Sequence, residues 1–265
     1  MDKQKIGLLF SRAAQEYDTF AWFPREVGRC LFRLFNGKCE AKNILDIGCG
    51  TGKLTIALSQ RFPKARVVGF DLAEGMVGRA KNRIERNGEI FLCADLEKIP
   101  FKDRTFEVVF SNLVYQRIPD LVNAFKKVNR VLVPGGRFYL SLATEGTLKE
   151  LQASLSLAYK KFSRVKLKEA YRHPSAGKIT EALKKSGFRI IRIEKFKKQK
   201  DYSNVTEIIK WLKKIGANYY YEKWAKGLNS RPVIKEMDMV YRSRYGNNGK
   251  IGATFEAMII ETQKR

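Results

Sequence analysis

The chain has 265 residues, with 52 Lys+Arg against 27 Asp+Glu, a formal net charge of +25, and 44% hydrophobic and 12% aromatic residues. The apolar share excludes a disordered basic tail, and no stretch approaches the roughly 20 apolar residues of a membrane span. The four cysteines (Cys30, Cys39, Cys49, Cys93) form no CxxC pair and His173 is the only histidine, which argues against zinc; with no secretion-type N-terminus, a reducing cytoplasm is expected.

Ile6, Leu9, Phe10, Ala13, Ala14 and Tyr17 recur at helical spacing, which predicts an N-terminal helix reaching Tyr17. Pro24 opens a second helix with Val27, Leu31, Leu34 and Phe35 on one face, and Gly37 is its stop. From residue 42, short apolar runs alternate with helical stretches. Strands are expected at 43–47, 66–71, 89–93, 106–110 and 137–142, with helices such as 54–62 and 121–131 between them. This rhythm predicts an α/β fold with a parallel sheet covered on both faces. Beyond residue 145 the pattern predicts helices at 148–162, 176–185, 205–215 and 233–241, and strands at 188–197 and 251–262. No repeat or low-complexity linker divides the chain, so one domain over 1–265 is expected.

The segment Asp46-Ile47-Gly48-Cys49-Gly50-Thr51-Gly52 follows the first strand and opens a helix. Glycines there allow a tight turn and close approach of a ligand to the backbone. Asp71 ends the next strand, where an acid accepts two ribose hydroxyls. A dinucleotide site presents helix-end N–H groups to a pyrophosphate. An acid at the turn repels that anion and suits a cationic amino acid instead. The ligand implied has a ribose and a positive end. An ordinary glycine turn in an α/β protein is the competing reading. The stretch resembles motif I of class I S-adenosyl-L-methionine (SAM)-dependent methyltransferases. That resemblance implies Asp46, Gly48, Cys49, Gly50 and Gly52 beside the methionine end and Asp71-Leu72 at the ribose. Asp95-Leu96 would then meet adenine, and Ser111-Asn112-Leu113 would face the reacting methyl. Asp95 also fits a plain helix cap.

The acceptor is narrowed by what is missing. After the fourth strand stands Ser111-Asn112-Leu113-Val114-Tyr115-Gln116, without the proline-aromatic tetrapeptide of DNA amine methylation or the carboxylate cluster of a metal-dependent catechol enzyme. A carboxylate acceptor is already an anion at pH 7 and needs no base. Further segments carry a closer likeness: Phe10-Ser11-Arg12-Ala13-Ala14 with Tyr17, Asn112-Leu113 with Gln116, Gly146-Thr147-Leu148 with Glu150-Leu151, Leu212-Lys213-Lys214-Ile215-Gly216-Ala217, and Gly252-Ala253-Thr254-Phe255-Glu256. From residue 6 to 262 the chain resembles the malonyl-[acyl-carrier protein] O-methyltransferases (BioC family) of biotin synthesis.

That resemblance implies a Rossmann-like, mostly parallel sheet with an antiparallel last strand. Residues 1–40 would form a helical cap, 42–145 the SAM-binding core, and 146–265 the last strands with helices for substrate and carrier. It implies SAM as methyl donor, no metal, and catalytic-site roles for Tyr17, Asn112 and Gln116. An arginine is expected to hold the acceptor carboxylate, with Arg12, Arg117 and Arg137 as candidates. It also gives the charge a use. Residues 1–150 carry a net +8 and residues 151–265 a net +17. An acidic acyl carrier protein would meet Lys195, Lys197, Lys198, Lys200, Lys210, Lys213 and Lys214. A thermophile-like solvated surface, a tRNA methyltransferase and a non-enzymatic partner subunit are the rival readings of the charge and motifs.

Overall fold

The computed structural model describes residues 2–35, 41–84, 89–162, 173–219 and 230–265, so the expected helix stop at Gly37 and Cys39 lie outside the described residues. Strands β1 (Asn43–Ile47), β2 (Arg66–Asp71), β3 (Glu89–Cys93), β4 (Phe106–Asn112) and β5 (Leu132–Ala143) pair in parallel. Strand β6 (Phe188–Tyr202) and the short β7 (Gly246–Asn247) each pair antiparallel with β8 (Lys250–Lys264), which also lies antiparallel against β5. The order is β3-β2-β1-β4-β5-β8-β6. It reverses between β1 and β4, and the carboxyl ends flanking such a reversal form the ligand crevice of open α/β sheets.

Strand alternation sorts the core into two layers. Ile44, Val67, Val108 and Phe110 face one side, with α3 (Trp22–Leu34) and Leu58 of α4 (Lys53–Arg61). Leu45, Ile47, Val68, Phe70 and Val109 face the other, beneath α6 (Leu121–Val131) and α8 (Ala176–Lys185). Helix α5 (Glu74–Lys81) meets α4 and β3 through Val77, Ala80, Ile56 and Phe91. The additions α7 (Lys149–Phe162), α9 (Val205–Lys214) and α10 (Ser230–Tyr245) extend the first layer. Two of the helix starts carry these side-chain caps: Asp120 accepts from the Asn123 N–H at 2.9 Å, and Asn204 from the Glu207 N–H at 3.0 Å.

The N-terminus departs from the single helix its spacing predicts. Helix α1 (Lys3–Ala13) ends before Tyr17, which opens the four-residue α2 (Tyr17–Phe20). The break lets Asp18 reach the glycine turn, where it accepts the Thr51 hydroxyl at 2.8 Å and pairs with Arg83. Pro24 is the third residue of α3 rather than the first. First-turn N–H groups have no intrahelical acceptor, so the ring displaces no hydrogen bond there. Trp22, Phe23 and Trp211 all pack on Phe255 with ring centroids 4.7–5.3 Å apart, tying α3 and α9 to β8. No helix among the described residues is long and apolar enough to cross a membrane.

Candidate active site

The turn from β1 into α4 takes the shape its glycines permit. Gly48, Gly50 and Gly52 have φ of +70°, +54° and +82°, a region strained for other residues. A β-carbon on Gly48 would also run into Val114. Asp71, at the end of β2, is oriented by the backbone: its carboxylate accepts the Gly50 and Ala73 N–H groups, each at 2.9 Å. Burial raises its pKa, and those N–H groups oppose the rise. Asp46 is 1% exposed and accepts the Thr55 hydroxyl at 2.6 Å. Burial pushes its carboxyl up to about 7, opposed by Thr55 and reinforced by Asp71. No described cation pairs with Asp46, so this buried acid suits the ammonium group of an amino acid ligand.

A cavity of about 140 Å³ runs from this turn along the strand ends, lined by Gly48, Gly50, Asp71, Leu72, Asp95, Leu96, Asn112 and Gln116. Those sequence-predicted residues converge in one place. Helix α1 roofs it with Ile6, Gly7 and Phe10, and Lys3 reaches down to Asp95 at 2.7 Å and to Glu97. Sequence reasoning missed Lys3, because a single lysine on a helix carries no pattern of its own. Asp95 also caps a short 3₁₀ turn through the Glu97 N–H at 2.8 Å, so the cap reading and the cavity position are both true. Asp46 and Cys49 line a neighbouring groove instead, and burial pushes the Cys49 thiol pKa up. Gly52 stands behind the wall: a β-carbon there would meet Ala80 at 2.9 Å and Phe91 at 3.0 Å.

A second cavity of about 110 Å³ adjoins the first and shares Phe10, Tyr17, Leu113, Gln116 and Arg117 with it. Its walls are mostly apolar: Phe23, Pro24, Leu148, Trp211, Leu212, Ile215 and Phe255. Thr147, Gln152 and His173 add polar groups: Thr147 comes from a segment that carries the sequence likeness, His173 is the lone histidine, and Gln152 belongs to no motif. Burial and the Arg117 charge push the His173 pKa down to about 3, so its imidazole is neutral at pH 7. Burial, with Asp71 and Asp18 nearby, raises the Tyr17 hydroxyl well above its ordinary range. Tyr17 therefore stays protonated at pH 7, which leaves its hydroxyl able to donate. Gln116 Nε2 donates to the Leu113 carbonyl at 2.6 Å.

The structure narrows the three arginine candidates to one. Arg137 stands on β5, bound to Glu261 of β8, and it lines neither cavity. Arg12 is exposed on α1 and also lies outside both. Of the three arginines only Arg117 faces the cavities, with its guanidinium 5.4 Å from the Phe10 ring centroid and donating to the Ala217 carbonyl at 3.3 Å. Asn112 lines the first cavity, but its amide also braces the fold, donating to Pro24 O at 3.0 Å and accepting from Ser141 at 2.7 Å.

The segments carrying the sequence resemblance meet here. Gly216 lies so close to α1 that a β-carbon would sit 2.9 Å from Phe10 Cα. Trp211 Nε1 donates to Phe20 O at 2.9 Å, and Lys214 pairs with Glu16 while lying over the Phe20 ring. The lysines expected to act together are divided by strand alternation. Lys198 and Lys200 lie over Trp22 on one face of β6, whereas Lys197 pairs with Glu256 at 3.1 Å on the other, the face of Lys195.

A family model described as "Methyltransferase domain" matches residues 45–140. The malonyl-[acyl-carrier protein] O-methyltransferase of Geobacter sulfurreducens is 32% identical over 257 residues, covering 96% of each chain. That of Methylovorus sp. is 32% identical over 274 residues, covering 97% of this chain and 88% of the relative. Among solved structures, the YcgJ protein from Bacillus subtilis superimposes with a TM-score of 0.63 at 21% identity, covering 89% of this chain and 98% of that one.

Proposed function

The chain belongs to the malonyl-[acyl-carrier protein] O-methyltransferase family, and from that premise we propose that it methylates the free carboxylate of a malonyl group on acyl carrier protein, giving the ester that enters biotin synthesis. The observation that carries the reading is Arg117, a planar cation held against Phe10 where the two cavities join. A guanidinium fork matches two carboxylate oxygens and fixes their direction.

SAM supplies an electrophilic methyl on a sulfonium when bound. Asp46 receives the amino group, Asp71 the ribose hydroxyls, and Asp95 with Leu96 the adenine, with Leu72 beside the ribose and Gly48 and Gly50 giving backbone access. The acceptor carboxylate is an anion at neutral pH, so the protein has no proton to remove. Its task is orientation and exclusion of water. Arg117 holds the carboxylate, Tyr17 closes over the junction and donates, and Gln116 sets one wall. The apolar ring of Phe23, Trp211, Leu212 and Ile215 keeps the site dry. Asn112 supports the junction by bracing Pro24. Cys30, Cys49 and Cys93 are free thiols, which suits the cytoplasm.

An acidic carrier protein would be steered by the basic surface, with Lys210, Lys213 and Lys214 on the outer side of α9 as its nearest C-terminal contacts. Charge reversal at Lys213 and Lys214 is expected to weaken use of the carrier-linked substrate more than that of a small malonyl thioester, and equal losses would remove that role. The function itself is tested by offering labelled SAM with malonyl-carrier protein, malonyl-CoA and bulk tRNA, and scoring base-labile methyl ester. Label in tRNA alone would overturn the reading. Arg117→Lys keeps the charge and loses the fork. It is expected to lower kcat/KM for the malonyl substrate by about 10- to 100-fold, with SAM affinity changed far less.

A further inference from the structure

A groove of about 830 Å³ lies between α3 and α4 on the first layer of the sheet. It reaches the cofactor turn, sharing Gly48, Gly50, Asn112 and Tyr17 with the first cavity. Its floor is largely apolar, with Leu54 and Ala57 from α4 and Phe196 from β6. Its rim is basic. Arg25, Arg29 and Arg33 recur at i, i+4 and i+8 along one side of α3, all exposed, and Lys53 faces them from the start of α4.

The acids nearby are largely committed within the fold. Asp18 is held by Arg83, Lys53 and Thr51, and Glu26 by Lys198. The three arginines belong to none of the motifs that read out the cofactor, and they lie in the less basic half of the chain.

We propose that this groove receives the prosthetic arm of the carrier protein, and that the arginine stripe beside it is the docking surface for the carrier's acidic face. The inference rests on the carrier-linked reading above and assigns it a surface. An arm of this kind is a thin chain of methylenes and amides ending in a phosphodiester next to the protein. A long groove with an apolar floor and cations at its rim complements that chemistry. The groove also has the right direction. Gly28 approaches Asn112, with a β-carbon position 3.1 Å from its amide nitrogen, so the inner end abuts the transfer site. Arg33 lies five residues further along α3, about 7.5 Å along the axis before its side chain is counted. The outer arginines thus stand where the phosphodiester and the carrier surface arrive. Lys214 and Trp211 tie α9 to Glu16 and Phe20, just before α3. A carrier seated on the stripe therefore has the α9 lysines beside it.

The test compares three malonyl thioesters with the intact enzyme: carrier protein, pantetheine 4′-phosphate and N-acetylcysteamine. Arg29→Glu with Arg33→Glu is expected to raise KM for the carrier substrate about tenfold or more, to raise it less for the phosphorylated arm, and to leave the short thioester unchanged. Ala57→Phe fills the floor and is expected to impair both substrates that carry an arm and spare the short one. Thermal midpoints matching the parent show that the variants fold. Equal effects on all three substrates, or none on the carrier, would overturn the docking assignment. Anisotropy of labelled carrier protein gives a readout independent of methyl transfer. If the parent methylates no malonyl substrate, the functional reading fails. Binding of the carrier to the parent and not to the arginine variant would then still support the surface, and no binding of the carrier to the parent would overturn it.

Discussion

The cofactor side and the acceptor side of this molecule are built on different principles. The first cavity is made at the ends of adjacent parallel strands, and the acids of the cofactor side, Asp71 and Asp95 in the cavity and Asp46 in the groove beside it, are aimed by backbone N–H groups or a neighbouring hydroxyl: Asp71 by Gly50 and Ala73, Asp46 by Thr55, Asp95 by Glu97. The second cavity is assembled from side chains far apart in sequence, with Phe10, Arg117, Leu148, His173, Trp211 and Phe255 meeting only through the fold. A site set into a sheet edge inherits the sheet's rigidity, whereas one closed by packed helices depends on each contact between them. Substitutions on the two sides should therefore fail differently, the first in SAM affinity and the second in acceptor use and stability.

Asp71→Ala is the largest expected effect. It removes a charged acceptor for two hydroxyls, each hydrogen bond to such a group being worth about 1.5–3 kcal/mol. A loss of about 100-fold or more in SAM affinity by calorimetry, with an unchanged circular dichroism spectrum, is the expected result. Unchanged affinity would remove the ribose role and with it the contrast between the two sides.

That contrast also explains what was legible in the sequence. The glycines and Asp46 occupy a short contiguous stretch and Asp71 ends the next strand, so these stood out from spacing, whereas Asp95 was singled out by the family resemblance. The strands before residue 145 were legible for the same reason, although β5 begins at Leu132, before the run that marked it. Choosing Arg117 over Arg12 and Arg137 needed three dimensions. Arg137 sits on β5 opposite Gln263 and bonds to Glu261, a partner 124 residues away. Arg25, Arg29 and Arg33 were passed over in the sequence, because their i, i+4, i+8 spacing gains a use only from the groove beside it. The lysines of β6 form one run in sequence, and only the structure shows that strand alternation divides them between two faces.

The pH dependence of SAM binding is the next largest effect. Burial raises Asp46 to about 7 in the ligand-free protein, so folding favours its protonated form. Its contribution to stability is then fullest below the ordinary carboxylate range and is lost as pH rises toward 7. An ammonium ligand reverses the preference, because it binds the carboxylate. SAM affinity is therefore expected to climb with pH below about 7, by up to about tenfold per unit, and to level off above. Calorimetry in two buffers of different ionisation enthalpy should show proton release near pH 6. Asp46→Asn should flatten the climb, and a flat profile in the parent would place the amino group elsewhere.

On the acceptor side, Gly216→Ala is expected to act through the contact between the end of α9 and α1. Its φ of +68° and its approach to Phe10 both disfavour a β-carbon. The left-handed conformation alone costs about 1–2 kcal/mol. Denaturant unfolding should show a loss of at least that size, and KM for the malonyl substrate should rise while SAM affinity holds. A fall in SAM affinity of the same size would mean that the two sides close as one unit.

The smallest expected effect is the sharpest test of the contrast, because Lys3 is the point where the N-terminal roof touches the cofactor side. Its ammonium bridges Asp95 and Glu97 from a partly exposed position, where ion pairs are worth about 0–1 kcal/mol. Lys3→Ala should therefore weaken SAM binding by no more than about fivefold, less so as salt is raised, since screening already weakens the bridge in the parent. A loss approaching that of Asp71→Ala would reverse the order of causes. The cofactor would then be held mainly by closure of α1, and the acids at the strand ends would do no more than position it beneath that roof.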